Sequence, residues 1–199
     1  MTEENGGRLE SHFVEGELIV MRELRLSDVN ETYYRWLNDS TATRYLESRF
    51  FPQSLEDILE YVRGLRGRTD CVIFAIVLKE DGRHIGNIKL GNINWIHRHA
   101  DVGMLIGERD CWSKGVGREA MRLITNYAFA VLNLNHLTGG IYATNAGSLR
   151  MTLKSGWKEE GRRRAMYYAD GEYVDSILVG ILRSEWDAER RSRKNLNEG

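Results

Sequence analysis

Apolar residues recur along the chain with two different periods. Glu17 to Leu24 (ELIVMREL) predicts a first strand. Ser27 and Asp28 then supply an N-cap and a first-turn acid, and Val29, Tyr33, Trp36 and Leu37 follow at helical spacing. A second helix is expected from Ser54, with Asp57 three residues on as its capping-box partner and Leu55, Ile58, Leu59 and Val62 along one face. Pro52 marks the loop before it.

From Cys71 the period shortens. CVIFAIVL is a near-continuous β-branched and aromatic run, the pattern of a strand covered on both faces and central in a sheet. Asp81-Gly82 tolerates the positive φ angles of a tight hairpin, so a strand over about His84 to Trp95 runs back beside it, and another spans about Ala100 to Gly107. A glycine-bearing loop, Asp110 to Gly117, leads into a helix whose buried face reads Ala120, Leu123, Ile124, Tyr127, Ala128 and Val131. A strand near His136 to Thr144, a short helix near Gly147 to Ser155 stopped by Gly156, and two strands joined at Asp170-Gly171 complete the pattern.

Antiparallel hairpins interrupted by helices predict an α+β domain with a mixed, mostly antiparallel sheet flanked by helices. Residues 1–16 read as a flexible polar leader, 17–186 as one domain and 187–199 as a polar, frayed tail with almost no apolar side chain.

Composition narrows the classes. Within 199 residues, 28 Lys+Arg balance 29 Asp+Glu for a net charge of −1, which removes the basic footprint of a bulk nucleic-acid binder. The longest apolar run, Cys71 to Leu78, is far short of a membrane span of roughly 18 residues, so no membrane partner is expected. Two cysteines, Cys71 and Cys111, and an N-terminus without a basic or apolar signal region point to a reducing, cytoplasmic setting.

The most informative unit is strand, glycine loop, amphipathic helix. In Ser113-Lys114-Gly115-Val116-Gly117-Arg118 the free N–H groups that open a helix and the positive end of its dipole can receive a phosphate or pyrophosphate, and Gly115 and Gly117 admit the anion closely. Taken alone, the loop fits a plain turn equally well. It is neither a nucleotide P-loop nor the dinucleotide fingerprint, whose spacings are absent.

CWSKGVGREA after the strand ADVGMLI resembles the acyl-CoA pyrophosphate loop, [RQ]-x-x-G-x-[GA], of the GNAT superfamily of N-acetyltransferases. NAGSLRMTLKSGW, from Asn145 to Trp157, resembles the Asn-x-x-Ser…Lys-x-Gly-[FW] segment of the branch that contains the ribosomal-protein N-terminal acetyltransferases, and DGEYVDSILVGILRSEW resembles that branch's final hairpin. The resemblance spans roughly Glu17 to Trp186. It implies an acetyl-CoA-dependent transferase with the cofactor held by Trp112, Ser113, Lys114, Gly115, Val116, Gly117, Arg118 and Asn145. A backbone N–H within Met104, Leu105 and Ile106 would face the thioester oxygen. There are departures: Trp112 stands where Arg or Gln is usual, and Thr152 where many members carry a thiol-protonating tyrosine.

Acetyl transfer to an amine needs a base. An alkyl amine of pKa about 10.4 is only about 0.1% neutral near pH 7.4, a cost of roughly 4 kcal/mol. The departing thiolate, with a pKa near 8.5 by analogy with cysteine, needs little help. The resemblance points to Asp101 as base through water, and to Ser148 as a hydrogen-bond partner of the sulfur or the cofactor. Asp101 also reads as a surface strand carboxylate and Ser148 as a first-turn serine. Imidazole is the side chain suited to proton transfer near neutral pH, but His97 and His99 read more simply as solvated turn residues, and they lack partners for a zinc site. Cys71 and Cys111 read as packed thiols.

Acceptor identity is expected in the first two helices, the Asn38 to Phe51 connection and the last hairpin. Tyr33, Tyr34, Trp36, Tyr45, Phe50 and Phe51 alternate there with Arg35, Arg44 and Arg49, a set suited either to stacking and phosphate binding or to packing a helix on the sheet. The short stretch WLND…YLE looks similar to some nucleotide-amino-sugar acetyltransferases. Arg162, Arg163 and Arg164 read as a solvated strand edge. The expected acceptor is a small-molecule amine or a protein N-terminus; the alternative is a non-catalytic acyl-CoA-binding domain. Edge strands in the last hairpin are compatible with a homodimer.

Overall fold

In the computed structural model, which describes residues 13–197, eight strands form one sheet in the order β1-β2-β3-β4-β5-β6-β8-β7. They are β1 (Val14–Glu15), β2 (Ile19–Glu23), β3 (Val72–Leu78), β4 (His84–Asn94), β5 (His99–Ile106), β6 (His136–Tyr142), β7 (Lys158–Ala169) and β8 (Glu172–Leu182). Neighbours pair antiparallel except β5 and β6, which run parallel. The sheet is therefore mixed and mostly antiparallel, as the alternation of hairpins and helices predicts.

Five helices accompany it: α1 (Glu31–Asn38), α2 (Leu55–Gly64), α3 (Val116–Ala130), α4 (Ala146–Lys154) and α5 (Arg183–Asn197). The run VIFAIVL forms β3, inside the sheet, and its side chains divide between two faces. Phe74 and Ile76 join the main core with Ala120, Ile124 and Leu137, while Ala75 and Val77 pack on the opposite side with Val20. A smaller cluster of Tyr33, Trp36, Ile58 and Val62 seats α1 and α2. Each large side chain so buried contributes about 1.5–3 kcal/mol, so both faces of the sheet are held by apolar packing.

Local signals explain most boundaries. Ser54 Oγ accepts the Asp57 N–H at 3.0 Å and Asp57 Oδ2 accepts the Ser54 N–H at 3.1 Å, the reciprocal cap that starts α2. Gly82 (φ 72°) turns β3 into β4.

Four expectations are corrected. Asn30, not Ser27 or Asp28, caps α1, with Oδ1 accepting the N–H groups of Thr32 and Tyr33. Asp28 is instead drawn into a tight turn, where its buried carboxylate takes both Nη groups of Arg22 at 2.7 Å and the Arg25 N–H at 2.8 Å. Val131 is exposed, since it lies one residue past α3 as its C-cap. The segment from Asp187, read as a frayed tail, continues as α5, whose buried Trp186 packs on Phe129 and donates to Asn126 Oδ1 at 2.6 Å. Of the polar leader, residues 1–12 lie outside the described residues, and Val14–Glu15 pair with β2 rather than hanging free. Among the described residues no helix is long and apolar enough to cross a membrane.

Candidate active site

The parallel ladder between β5 and β6 is short. It joins His99 to His136, Ala100 to Leu137 and Asp101 to Thr138, and then stops. Beyond it β5 stays paired with β4 as far as Ile106, and β6 with β8 as far as Tyr142, so the two strands part and a cleft opens in the sheet. Its volume is about 1030 Å³, at the upper end of ordinary ligand pockets of about 300–1000 Å³.

Strand alternation decides what the gap presents. Trp112 Nε1 donates to the Ile106 carbonyl at 2.9 Å, and the Val102 carbonyl faces Gly139 of β6. Both residues therefore aim their backbone groups away from β4, and so does Met104 between them. The side chains of Met104 and Ile106 pack on the main core, that of Leu105 on the α1–α2 cluster. Met104 thus directs a backbone N–H and carbonyl into the cleft where the β6 partner has moved away.

At the mouth, Ser113 (φ 62°) and Gly115 (φ 90°) curl the loop into α3. Gly115 is the N-cap and offers no side chain to the helix, whereas α1, α2 and α4 are capped by Asn30, Ser54 and Asn145. The first intrahelical donor is the Glu119 N–H, to Gly115 O at 3.0 Å. The N–H groups ahead of it have no intrahelical acceptor and lie at the positive end of the dipole, an arrangement able to hold an anion. Gly117 faces α4 closely: a Cβ there would meet Met151 Sδ at 3.1 Å and Met104 Cε at 3.5 Å.

Lys114 from the loop, Arg118 from the first turn of α3, Arg150 and Lys154 from α4, and Arg44 from the α1–α2 connection supply the charge of the lining, which includes no Asp or Glu. A second groove of about 890 Å³ shares Lys114, Arg118 and Lys154 and continues past Arg122 to Trp186 and Arg190 of α5.

The opposite side of the cleft is walled by Thr41, Ala42, Arg44, Tyr45 and Leu46 and by Tyr142. Tyr142 stacks on Tyr167 at 4.1 Å and meets Tyr45 at 5.5 Å. Tyr167 reaches this place because Gly140 has no side chain: a Cβ there would lie 2.6 Å from the Tyr167 hydroxyl. Burial pushes the Tyr142 hydroxyl above its ordinary pKa. Arg44 pairs with Asp170 at 2.7 Å, and Arg49 donates to the carbonyls of Arg44 and Tyr168, tying the connection to the β7–β8 hairpin.

The sequence profile of the acetyltransferase (GNAT) domain matches residues 19–158. The chain belongs to the GNAT acetyltransferase family. It is 25% identical over 172 residues to the uncharacterized N-acetyltransferase p20 of Bacillus licheniformis, covering 85% of this chain and 96% of that one. It is 28% identical to YdaF of Bacillus subtilis (strain 168), provisionally named a ribosomal N-acetyltransferase, over 87% of each. Spermidine N-acetyltransferase from Vibrio cholerae, solved in complex with CoA and spermine, superposes with a TM-score of 0.79 at 22% identity, over 86% of this chain and 99% of that one. The protein is an acyltransferase of this family.

Within this GNAT chain, Met104, Leu105, Ile106, Trp112, Ser113, Lys114, Gly115, Val116, Gly117, Arg118, Asn145 and Ser148 all line the cleft. Asn145 spends its Oδ1 on the Ser148 N–H at 3.1 Å, capping α4. Thr152 is buried at the cleft wall. Asp101 sits one residue outside the lining, at the closed end, where its exposed carboxylate accepts from Asn92 Nδ2 at 2.9 Å and from Thr138 Oγ1. Cys111 is buried in the lining, and burial, then the neighbouring Asp110 carboxylate, pushes its thiol above its ordinary pKa. A thiol held protonated is a poor nucleophile. His97 and His99 stack on each other beyond the closed end, and among the described residues no cluster of His, Cys, Asp or Glu is placed to hold a metal.

Trp36 takes the packing role, buried against His84 and Gly107 and donating to Glu108 Oε1 at 2.8 Å. Sequence reasoning missed Glu119, whose buried carboxylate accepts the N–H groups of Glu17, Leu18 and Ile19 at 2.6–3.1 Å and so moors the β1–β2 turn to α3. It also missed Tyr167 and the Arg44–Asp170 pair. Glu119 carried one signal, a charge on the helix face one turn after the glycine loop.

Proposed function

We propose that the protein transfers an acetyl group from acetyl-CoA to a primary amine by direct attack in a ternary complex. The observation that carries this is the gap between β5 and β6, which opens onto the uncapped start of α3. The Met104–Ile106 backbone takes the pantetheine arm as β5 would take a strand, and the Met104 N–H donates to the thioester oxygen and to the oxyanion that develops there. Gly115, Val116, Gly117 and Arg118 receive the pyrophosphate on their N–H groups, assisted by the Lys114 and Arg118 side chains. Trp112 and Ser113 shape the loop, and Asn145 borders the arm. Arg122, Lys154 and the α5 wall receive the nucleotide end.

The amine enters from the side of Thr41 to Leu46 and the tyrosines. The neutral nitrogen attacks the carbonyl carbon, the C–S bond breaks, and the departing thiolate takes the proton then left on nitrogen; before the attack the ammonium gives one proton to a base. Asp101 lies three residues down the strand from Met104, about 10 Å at strand rise, so it takes that proton through ordered water. Ser148 hydrogen-bonds the departing sulfur. A small amine such as an amino sugar and a protein N-terminus are both acceptors of the required chemistry.

The test is release of the free thiol of CoA from acetyl-CoA over a panel of amino sugars, peptides and polyamines. Saturable, amine-dependent release is expected. Tight acetyl-CoA binding with no release above the hydrolysis rate for any amine would overturn the transfer and leave a binding domain.

A further inference from the structure

The acceptor side of the cleft carries a charge pattern that selects among amines. Resting on the acetyl-transfer reading above, we propose that the acceptor is a primary amine bearing an anionic group, phosphate or carboxylate, which Arg44 binds.

The lining contains five basic side chains and no carboxylate. Four of the bases, Lys114, Arg118, Arg150 and Lys154, belong to α3, its loop and α4, the side assigned to the cofactor's phosphates. Arg44 stands apart on the opposite wall, held over the Tyr45 ring at 5.4 Å. A polyamine would bring two or more ammonium groups, and each needs a carboxylate or water when it leaves bulk solvent. Three carboxylates on this side already have partners. Asp101 accepts from Asn92 and Thr138, Asp170 from Arg44, and Asp175 from the Ala165 N–H at 3.0 Å. Glu47, near Tyr142, lies outside the lining.

Arg44 is suited to exchange partners. It and Asp170 are both about half exposed, 52% and 58%, so water screens the pair and holds it only weakly together. A substrate anion can replace Asp170 at little cost, and the planar guanidinium fork matches phosphate and carboxylate alike. The ring of Tyr142, backed by Tyr167 at 4.1 Å, and the ring of Tyr45, tilted 58° to it, offer apolar surface to the body that links the amine to its anion.

The experiment uses the full chain with saturating acetyl-CoA and two matched pairs, glucosamine with glucosamine 6-phosphate and 4-aminobutanol with 4-aminobutyrate, plus spermidine. At least one anionic member is expected to exceed both its neutral partner and spermidine in kcat/KM by roughly tenfold or more, and the pair that responds identifies phosphate or carboxylate. Arg44→Gln should collapse that ratio toward unity through KM. Asp170→Asn, which frees Arg44, should lower KM for the anionic member while kcat holds. Spermidine as the best acceptor, matched pairs that do not differ, or a ratio unmoved by Arg44→Gln would overturn the acceptor assignment while leaving acetyl transfer intact. No thiol release with any amine would overturn the transfer reading itself, and this assignment with it.

Discussion

The indole of Trp112 donates to the carbonyl of Ile106 at 2.9 Å, fastening the glycine loop to the end of the strand that borders the cleft. The tryptophan stays 40% exposed but spends its one donor on the strand and so holds the loop against β5. Trp112→Phe keeps the ring and removes the donor. Acetyl-CoA affinity should fall by roughly 2- to 10-fold, the value of one hydrogen bond, with little change in melting temperature. Calorimetric titration of the variant checks this, and unchanged affinity would mean the loop keeps its shape without the bond.

Glu119 is the mooring of the β1–β2 turn. Its replacement by Ala strands three backbone N–H donors, one of them buried, and should cost about 3 kcal/mol in urea unfolding. Glu119→Gln, which keeps one acceptor oxygen, should fall between. A loss within about 0.5 kcal/mol, typical of surface substitutions, would show that the turn is held by other contacts.

The turn moored by Glu119 also shows what the sequence made legible. Elements set by neighbours a few residues apart were readable: the Ser54–Asp57 cap, the Asp81-Gly82 hairpin, and the strand, glycine loop and helix that frame the cleft. Asn30 displaced the expected cap of α1 because Asp28 is recruited by Arg22 of β2 and Arg25, a tertiary pull on a residue that local spacing marks as helix-starting. α5 was missed because its sequence is almost wholly polar, and burial of Trp186 on Phe129 is visible only once α3 and β8 are in place. The Arg44–Asp170 pair joins residues 126 positions apart, and Tyr167 matters through the missing side chain of Gly140. No local pattern marks either.

Stability should fall on acidification in two stages. Burial, against the opposing pulls of Asn87 and Asp28, holds the His84 pKa below its ordinary value, so below about pH 6.5 the unfolded chain binds a proton that the folded chain does not. That contribution is complete above pH about 6.5 and is lost as pH drops through the folded value. Burial would raise the Asp28 pKa, but the bonds from Arg22 and Arg25 outweigh it and depress it. Its contribution is complete above about pH 4 and lost at lower pH. Urea unfolding at pH 7.5 and 5.5 should show a decline in the parent that His84→Gln flattens; parallel declines in the two proteins would assign it elsewhere.

Asp101→Asn should lower kcat by about 100-fold, the expected loss of a general base. Acetyl-CoA affinity should hold, since Asp101 lies outside the cleft lining. An unchanged kcat would reduce Asp101 to a tie between Asn92 and Thr138.

The central claim is that the splay of β5 and β6, with the open start of α3, binds acetyl-CoA. Its most direct test is calorimetric titration of the full chain with acetyl-CoA, with ATP and NAD as controls, beside a Gly117→Trp variant whose fold is checked by circular dichroism. Gly117 lies tight against Met151 and Met104, so an indole there has no room beside them and intrudes on the cleft. Micromolar, selective binding by the parent and none by the folded variant is the predicted result; no binding by the parent, or undiminished affinity in a folded Gly117→Trp protein, would contradict it.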